Sequence, residues 1–238
     1  MKLLSVNAGS STLKFRLYEM PEEKLIMKGQ YERIGLEGSC YNLKIGNEKF
    51  SALVELKDHK DAVSLLLEHL LEHKVISSLD EIEAVGHRIV HGGNKYSKSV
   101  KIDDRVLLEV ESISPLAPLH NPAALKGIRA FMEAIPNALN VACFDTAFHQ
   151  TIDEATYLYP VPYEWYVKYD VRKYGFHGLS HKFITEQMTD ILGKVPNLII
   201  CHIGSGCSIT AVRDGKSIDT SMGFTPNAGI MMGTRSGD

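Results

Sequence analysis

The chain has 238 residues, 44% hydrophobic and 23% charged, a composition typical of a globular protein with one sizeable core or two smaller ones. Its 26 basic and 29 acidic residues give a formal net charge of −3. Because both signs are interspersed along the chain, the sequence predicts no basic patch for nucleic acid or an anionic membrane, and small molecules are the expected partners.

The chain also lacks the sequence features of a membrane or secreted protein. No stretch approaches the roughly 18 uninterrupted apolar residues that a membrane-spanning helix requires. The opening segment MKLLSVNAGSS turns polar too early for a signal peptide. A cytoplasmic location is therefore expected.

The first third of the chain is predicted to be mostly extended. Alternation over 2–7 and 12–18, broken at Gly9, Ser10 and Ser11, predicts a β-hairpin with a polar, glycine-bearing tip. Leucines recurring every three or four residues in 61–74 predict a helix. The further strands are expected near 24–33, 41–46 and 49–56.

The rest of the chain alternates between predicted strands and helices. IEAVGHRIV, VACFD and NLIICHI are predicted strands, and the last two are continuous apolar runs typical of strands covered on both faces. Asn121 and Pro122 are the expected cap and first residue of a helix. These elements predict an α/β fold with a mixed sheet and helices on both faces. The expected helices lie at 103–112, 122–135 and 181–192.

One sequence pattern occurs twice. Residues 3–10 and 198–205 both place Gly-Ser at the end of a strand that runs into a second strand. A duplicated hairpin suggests two homologous domains that face a shared cleft. A boundary is expected after Asp145, where the segment YLYPVPYEWY is predicted to be a surface connection.

The first tip carries groups suited to a polyphosphate. Gly9 lets backbone N–H groups approach an anion, and the neighbouring side chains add hydrogen-bond donors and a positive charge. The P-loop and the GxGxxG motif are both missing, and an ordinary polar turn is the alternative interpretation. The donors are Asn7, Ser10, Ser11, Thr12 and Lys14.

Other candidates lie at predicted strand ends and in loops. Arg88 could clamp a carboxylate or phosphate bidentately, or form an ordinary salt bridge. Asp145 could orient a hydrated Mg²⁺, or cap a helix. Residues 114–122 form a Pro-rich loop with a predicted buried apolar face that could line a pocket. Arg235, between glycines, could stabilise charge on a transferring phosphoryl group.

Two histidine pairs have the four-residue spacing of helical zinc sites, which raises a metallohydrolase as an alternative. His87 and His91 lie on a predicted strand, where this spacing separates the side chains by about 13 Å. The second pair is His177 and His181, and neither pair has the glutamate of HExxH. His177 is instead predicted to reach a ligand, and His181 to begin a helix.

Together these segments resemble the acetate kinase family in order and spacing. The motifs are SVNAGSSTLKF, VGHRIVHGG, LAPLHNPAAL, CFDTAFH, YGFHGLSHKF, CHIGSGCSI and DTSMGFTPNAGIMMGTRSGD. The resemblance implies the ribonuclease H-like duplicated fold of the sugar kinase, Hsp70 and actin superfamily. It also implies ATP and acetate as substrates, Mg²⁺ as cofactor, and a homodimer.

The resemblance also implies roles for individual residues. Arg88, Asp145, His177 and Arg235 would be catalytic, and Arg88 would bind the carboxylate in a site lined by Pro118 and His120. Asn7 and Asp145 would face the metal. The residues that would bind ATP or its phosphates are Asn7, Ser10, Ser11, Thr12, Lys14, His202, Gly204, Ser205 and Gly206.

The chain departs from the family pattern in two respects. Ser205 stands where Asn is usual, which keeps a hydroxyl but loses an amide's reach. Family members also continue well past Asp238, so the chain is expected to hold a first domain, 1–148, and an incomplete second, 149–238, and to be nearly inactive alone. The alternatives are a propionate or butyrate kinase and a non-catalytic phosphate- or nucleotide-binding fragment.

Overall fold

The computed structural model describes residues 1–238 and confirms the predicted α/β class with a large mixed sheet. Two compact units are formed by discontinuous parts of the chain. The predicted domain boundary at residue 148 stays a prediction. The first unit comprises Met1–Ile89, Val100–Ser114 and Pro118–Ala142, and the second comprises Val90–Ser99, Pro115–Ala117 and Cys143–Asp238.

The eight-stranded sheet has the order β5-β4-β3-β2-β1-β6-β8-β7. Its strands β1 to β5 form a continuous antiparallel series, whereas β6 pairs with β1 in parallel. The strands are β1 (Lys2–Ala8), β2 (Thr12–Glu19), β3 (Lys24–Glu32), β4 (Cys40–Ile45), β5 (Glu48–Leu53), β6 (Ile82–Ile89), β7 (Val100–Lys101) and β8 (Leu139–Phe144).

Three helices belong to the first unit: α1 (His59–Glu72), α2 (Asp104–Ser112) and α3 (Asn121–Ala134). The predicted leucine stripe buries Leu66 and Leu70 of α1 in the core with Leu4, Leu13 and Phe131. Alternate residues of β1 and β2 point into the same core, which is why the period-2 pattern identified these strands.

The second unit contains a three-stranded antiparallel sheet in the order β11-β10-β9. Its strands are β9 (Leu198–Ile203), β10 (Cys207–Arg213) and β11 (Lys216–Thr220). Its helices are α4 (Glu154–Tyr157), α5 (Tyr163–Tyr169) and α6 (Gly178–Leu192). None of the helices combines the length and apolar character needed to cross a bilayer.

Both predicted hairpins are confirmed, because β1 pairs with β2 and β9 with β10 across Gly-Ser tips. Three local predictions were wrong. Strand β9 is not covered on both faces, because Ile199 is 71% exposed and Ile203 is 68% exposed. The N-cap of α3 is His120 rather than Asn121, because the His120 carbonyl already accepts the Ala124 N–H at 3.0 Å. The segment predicted as a connection contains the start of α5, although Trp165 is 48% exposed there.

Candidate functional site

The first tip is closed by a short backbone hydrogen bond. The Gly9 N–H donates to the Thr12 carbonyl at 2.8 Å. A Cβ at Gly9 would lie only 2.7 Å from the Thr12 hydroxyl oxygen, so any other residue here would require the Thr12 side chain to move. Ser10 is exposed beside the turn, and Ser11 is half-buried.

A buried histidine holds this tip from the helix side. His59, the first residue of α1, is 5% exposed, and its Nε2–H donates to the Gly9 carbonyl at 2.7 Å. Asp58 caps α1 by accepting the N–H groups of Lys60 and Asp61. The cap fixes the first turn of the helix and thereby the ring that anchors the tip.

Three of the predicted polar groups of the first unit lie close together on β1, β2 and β6. Asn7 and Lys14 are directly paired across the hairpin. Val6 is paired with His87 in the parallel β1–β6 ladder, so Asn7 and Arg88 are the next residues in register. Both strands end at the same edge of the sheet, where α/β folds place binding groups.

Pro118 lies two residues before the N-cap of α3, and His120 is the N-cap itself. Their loop lacks the uniformly buried apolar face that the sequence predicted, because Ala117 is buried whereas Leu119 is 72% exposed. Ala117 belongs to the second unit and Leu119 to the first. Hydrophobic residues in a short loop need not all turn inward, and this explains the error.

In the second unit, His177 and Arg235 converge on the glycine of the second tip. A Cβ placed at Gly206 would lie 3.1 Å from both Cε1 and Nε2 of His177 and 3.6 Å from Nη1 of Arg235. Glycine therefore leaves a space of about methyl size that is bordered by an imidazole and a guanidinium. Ser205 and Gly204 are exposed at the same tip.

The backbone of His177 is in the left-handed region, with φ 58° and ψ 17°, at the N-cap of α6. Non-glycine residues seldom adopt this conformation, and where they do it frequently marks a functional position. The next residue, Gly178, donates its N–H to the Asp145 carbonyl at 2.9 Å. Gly178, the residue after His177, thus links the backbone at His177 to that of the buried Asp145.

Ser208 links two histidines. Its hydroxyl lies 2.9 Å from Nδ1 of His177 and 2.8 Å from Nε2 of His181. Nδ1 of His181 has no hydrogen-bond partner and is fully buried. Because a buried N–H without a partner is costly, the proton of His181 is assigned to Nε2, which donates to Ser208.

This assignment favours one tautomer of His177. Once Ser208 accepts from His181, its single hydroxyl proton can donate to Nδ1 of His177. In the neutral ring the proton of His177 then lies on Nε2, the nitrogen beside Gly206. Burial and, to a smaller extent, the neighbouring His149 together lower the pKa of His181 to about 3, so His181 is neutral near pH 7.

Two further contacts order the second tip. The ring of His202 stacks on that of His177 with centroids 4.1 Å apart, and its Nδ1 lies 2.9 Å from the Ser180 hydroxyl. The Sδ atom of Met232 accepts from the Cys207 N–H at 3.4 Å and from Nη1 of Arg235 at 3.5 Å. These contacts bring the segment that carries Arg235 to the tip.

One ring nitrogen of each residue in the other histidine pair forms a hydrogen bond within the fold. Nε2 of His87 donates to the Asn140 side-chain oxygen at 2.8 Å, and burial lowers the pKa of His87 to about 4. Nδ1 of His91 accepts the Gly93 N–H at 3.0 Å. These bonds give both rings a structural role.

Sequence reasoning missed three residues that organise the two tips. Ser208 was detectable as a polar residue inside the apolar strand CSITAV, and His59 as a histidine at a helix start. Met232 had no such signal, because its contact with Cys207 joins residues that are far apart in the sequence. The structure brings His177, His202, Gly206 and Arg235 together in the second unit, and Asn7 with Lys14 in the first.

Comparisons with known proteins agree with the motifs. The model of the Acetokinase family matches residues 2–238. The chain is 55% identical over its whole length to an acetate kinase of Bacillus cytotoxicus, of which it covers 60%. It therefore spans about three fifths of the length of the curated relatives it matches.

Solved structures of similar proteins match the fold over the entire chain. Acetate kinase from Porphyromonas gingivalis aligns with TM-score 0.95 at 45% identity, and 61% of that chain is covered. A propionate kinase from Francisella tularensis aligns with TM-score 0.94 at 44% identity, and again 61% of that chain is covered.

Proposed function

Because the chain belongs to the acetokinase family, we propose that it takes part in reversible transfer of the γ-phosphoryl group of ATP to acetate. The products are acetyl phosphate and ADP. A carboxylate oxygen of acetate attacks the γ-phosphorus as the bond to the ADP oxygen breaks, so no covalent enzyme intermediate is required.

The convergence of His177 and Arg235 on Gly206 carries this proposal. Phosphoryl transfer depends on positioning and on neutralising charge on the three equatorial oxygens. Nε2–H of His177 donates to one such oxygen, while the Arg235 guanidinium supplies a positive charge. Ser208 and His181 keep the proton of His177 on that nitrogen, and His202 supports the ring.

The other proposed groups belong to both units. The tip donors Asn7, Ser10, Ser11, Thr12 and Lys14 bind phosphates, and His202, Gly204, Ser205 and Gly206 of the second tip do the same. Arg88 binds the acetate carboxylate, because a guanidinium can hold its two oxygens at once. Pro118 and His120 line the space for the methyl group.

The donor chemistry of Asp145 and Asn7 suits Mg²⁺, which prefers oxygen ligands. No three His, Cys, Asp or Glu side chains cluster as a metal site by themselves. Mg²⁺ commonly uses one or two carboxylates and completes its shell with water and substrate phosphates, so a single buried Asp145 fits this mode. When bound, the ion neutralises phosphate charge.

A propionate kinase is the second candidate, favoured by the match to the Francisella tularensis enzyme. One methylene in a pocket changes the discrimination by only about 1–3 kcal/mol, so a few side chains decide between the substrates. A homodimer and a cytoplasmic location, which the resemblance and the sequence predict, are part of the same proposal.

The proposal is tested with a chimera in which this chain replaces the matching 60% of the Bacillus cytotoxicus acetate kinase. Acetyl phosphate is trapped as the hydroxamate, with acetate, propionate and butyrate compared, and residues 1–238 alone are measured beside it. Gly206→Ala fills the space between His177 and Arg235. Gly204→Ala is the control, because a Cβ at Gly204 would have its nearest neighbour at 3.6 Å.

We expect Gly206→Ala to lower kcat by at least about tenfold and Gly204→Ala to change it little. Arg88→Ala should weaken carboxylate binding by at least about tenfold and lower turnover. A chimera inactive with all three carboxylates, although it is folded and binds ATP, would instead support the non-catalytic phosphate-binding alternative.

A further inference from the structure

The thioether of Met232 joins the second tip to the arginine beside it. Its Sδ atom accepts the Cys207 N–H, at the start of β10, at 3.4 Å and Nη1 of Arg235 at 3.5 Å. Met232 is half-buried, whereas its neighbour Met231 is 81% exposed. One sulfur atom therefore contacts both the backbone of the tip and the guanidinium that borders Gly206.

A tight turn places the side chains of Met232 and Arg235 on the same face. The two residues form an isolated antiparallel bridge, in which the Met232 N–H donates to the Arg235 carbonyl at 3.0 Å and the Arg235 N–H to the Met232 carbonyl at 3.4 Å. Directly opposed residues of such a pair have Cβ atoms about 4.5–5.5 Å apart. The turn also lies close to the tip, because a Cβ at Gly233 would be 3.8 Å from the Ser205 carbonyl oxygen.

No acidic side chain neutralises the Arg235 guanidinium. Arg235 forms no ion pair with Asp or Glu, and its side-chain hydrogen bond goes to Sδ of Met232. A thioether is a neutral, polarisable and weak acceptor. It can orient a guanidinium without cancelling the positive charge, whereas a carboxylate in its place would cancel that charge and repel a phosphate.

We infer that Met232 is a positioning residue, which holds the Arg235 guanidinium beside the second tip with its full charge available to the transferring phosphoryl group. The inference rests on the proposed function, because it gives Met232 a part in the same reaction. Misplacement of a group by about 1 Å can cost on the order of 100-fold in phosphoryl transfer. Loss of one weak acceptor leaves the turn itself in place, so the expected loss is smaller, on the order of tenfold.

The experiment compares two replacements of Met232 in the chimera. Met232→Leu keeps an apolar side chain of similar volume but removes the sulfur acceptor. Met232→Gln has a similar length and carries an amide oxygen that can accept from both N–H groups. Met231→Leu makes the first change at the exposed neighbouring position and serves as the control.

We expect Met232→Leu to lower kcat by about tenfold with KM for ATP within about twofold, and Met232→Gln to retain kcat within about threefold. Met231→Leu should match the unmodified chimera. A purely structural role predicts the reverse order, because leucine replaces methionine well in an apolar contact and a half-buried amide is costly. A higher kcat in the Met232→Leu variant than in the Met232→Gln variant would overturn the inference.

A double-mutant cycle tests whether Met232 acts through Arg235. Adding Met232→Leu to Arg235→Ala should change kcat by less than about twofold, because the group that Met232 holds is already gone. A further loss of about tenfold in the double variant would mean that Met232 acts on the reaction by another route, and the inference would be wrong.

A readout independent of activity is the rate at which phenylglyoxal, an arginine reagent, modifies Arg235, mapped by mass spectrometry. Arg213, which is exposed on β10, is the internal reference. A guanidinium released from Sδ should react at least about threefold faster, so Met232→Leu should raise the rate at Arg235 and Met231→Leu should not.

The two readouts separate this inference from the proposed function. If the unmodified chimera makes no acyl phosphate, the proposed function fails, and the modification rates still decide whether Met232 holds Arg235. Equal rates at Arg235 in the Met232→Leu variant and the unmodified chimera would overturn the inference, whether or not the chimera is active.

Discussion

The two Gly-Ser tips share a sequence pattern and a hairpin geometry but differ in what surrounds them. The first is anchored by the buried ring of His59, which donates to the Gly9 carbonyl. The second is surrounded by side chains that are themselves reaction candidates, His177 and Arg235. A duplicated hairpin can therefore be held by a backbone contact at one tip and be surrounded by ionisable side chains at the other.

Their strands differ as well. Leu4 and Val6 of β1 are 0% and 3% exposed, whereas Ile199 and Ile203 of β9 are 71% and 68% exposed. The same apolar pattern is buried in the large sheet and solvent-accessible in the three-stranded one. Similar sequences thus contribute very different amounts of hydrophobic stabilisation.

The largest expected effect follows from this contrast. In residues 1–238, Leu4→Ala should lower the free energy of unfolding by about 2–5 kcal/mol, because it leaves a cavity in a packed core. Ile199→Ala should change it by less than about 0.5 kcal/mol, as for other exposed positions. Urea unfolding of both variants measures the difference, and similar losses would show that β9 is buried in solution.

The next effect tests the second tip. Ser208→Ala in the chimera should lower kcat on the order of 100-fold with little change in KM, because two histidine nitrogens lose their partner at about 1–3 kcal/mol each. His177 is then no longer held in the tautomer that places a proton on Nε2.

Ser217→Ala is the matched control, since Ser217 is also fully buried and lies 2.9 Å from Nδ1 of His149. It should cost comparable stability and retain most of kcat. Equal losses of kcat in both variants would mean that Ser208 supports the fold without setting the state of His177.

The pH dependence of stability is smaller and also centres on the second unit. Burial lowers the pKa of His181 to about 3 and of His149 to about 4, below their unfolded value of about 6.5. Their stabilisation is complete above about pH 6.5 and is lost as the pH falls toward the folded pKa values, by up to about 1.4 kcal/mol per pH unit for each group.

His181→Gln should therefore flatten the acid limb of the stability curve. Urea unfolding from about pH 7.5 to about pH 5 should show the gap between wild type and variant narrowing as acid is added. Parallel curves would show that His181 is already protonated in the native state or that the unfolded chain does not bind the proton.

Local features of the fold were predictable from the sequence, and non-local ones were not. Period-2 alternation identified β1 and β2, and leucine spacing identified α1, because burial on one face sets both patterns. The proximity of His177 and Arg235 depends on Met232, which contacts both Arg235 and the distant Cys207. No local sequence pattern predicts such a long-range contact. The sequence analysis predicted no basic patch, but Arg16, Lys28, Lys44 and Lys49 are neighbours across β2 to β5, because strand register, and not the order of charges along the chain, decides which side chains lie side by side.

The smallest expected effect separates anchoring of the first tip from simple packing. His59→Ala removes the donor to the Gly9 carbonyl and should cost about 1 kcal/mol of stability, a typical value for one hydrogen bond. It should also raise KM for ATP in the chimera by about threefold to tenfold, because a tip that is no longer held loses phosphate-binding geometry. kcat should change less, since the groups at the second tip remain in place.

His59→Gln keeps an N–H donor on a flexible side chain and should bring the KM for ATP part of the way back to the wild-type value. Asp58 still caps α1 in both variants. Lys60→Ala, one residue along the helix and exposed, serves as the control for the substitution itself. If His59→Ala lowers the melting temperature but leaves KM for ATP unchanged, His59 is only a core residue. The contact between His59 and the first tip would then have no effect on ligand binding. Only the second tip would carry contacts that affect the reaction.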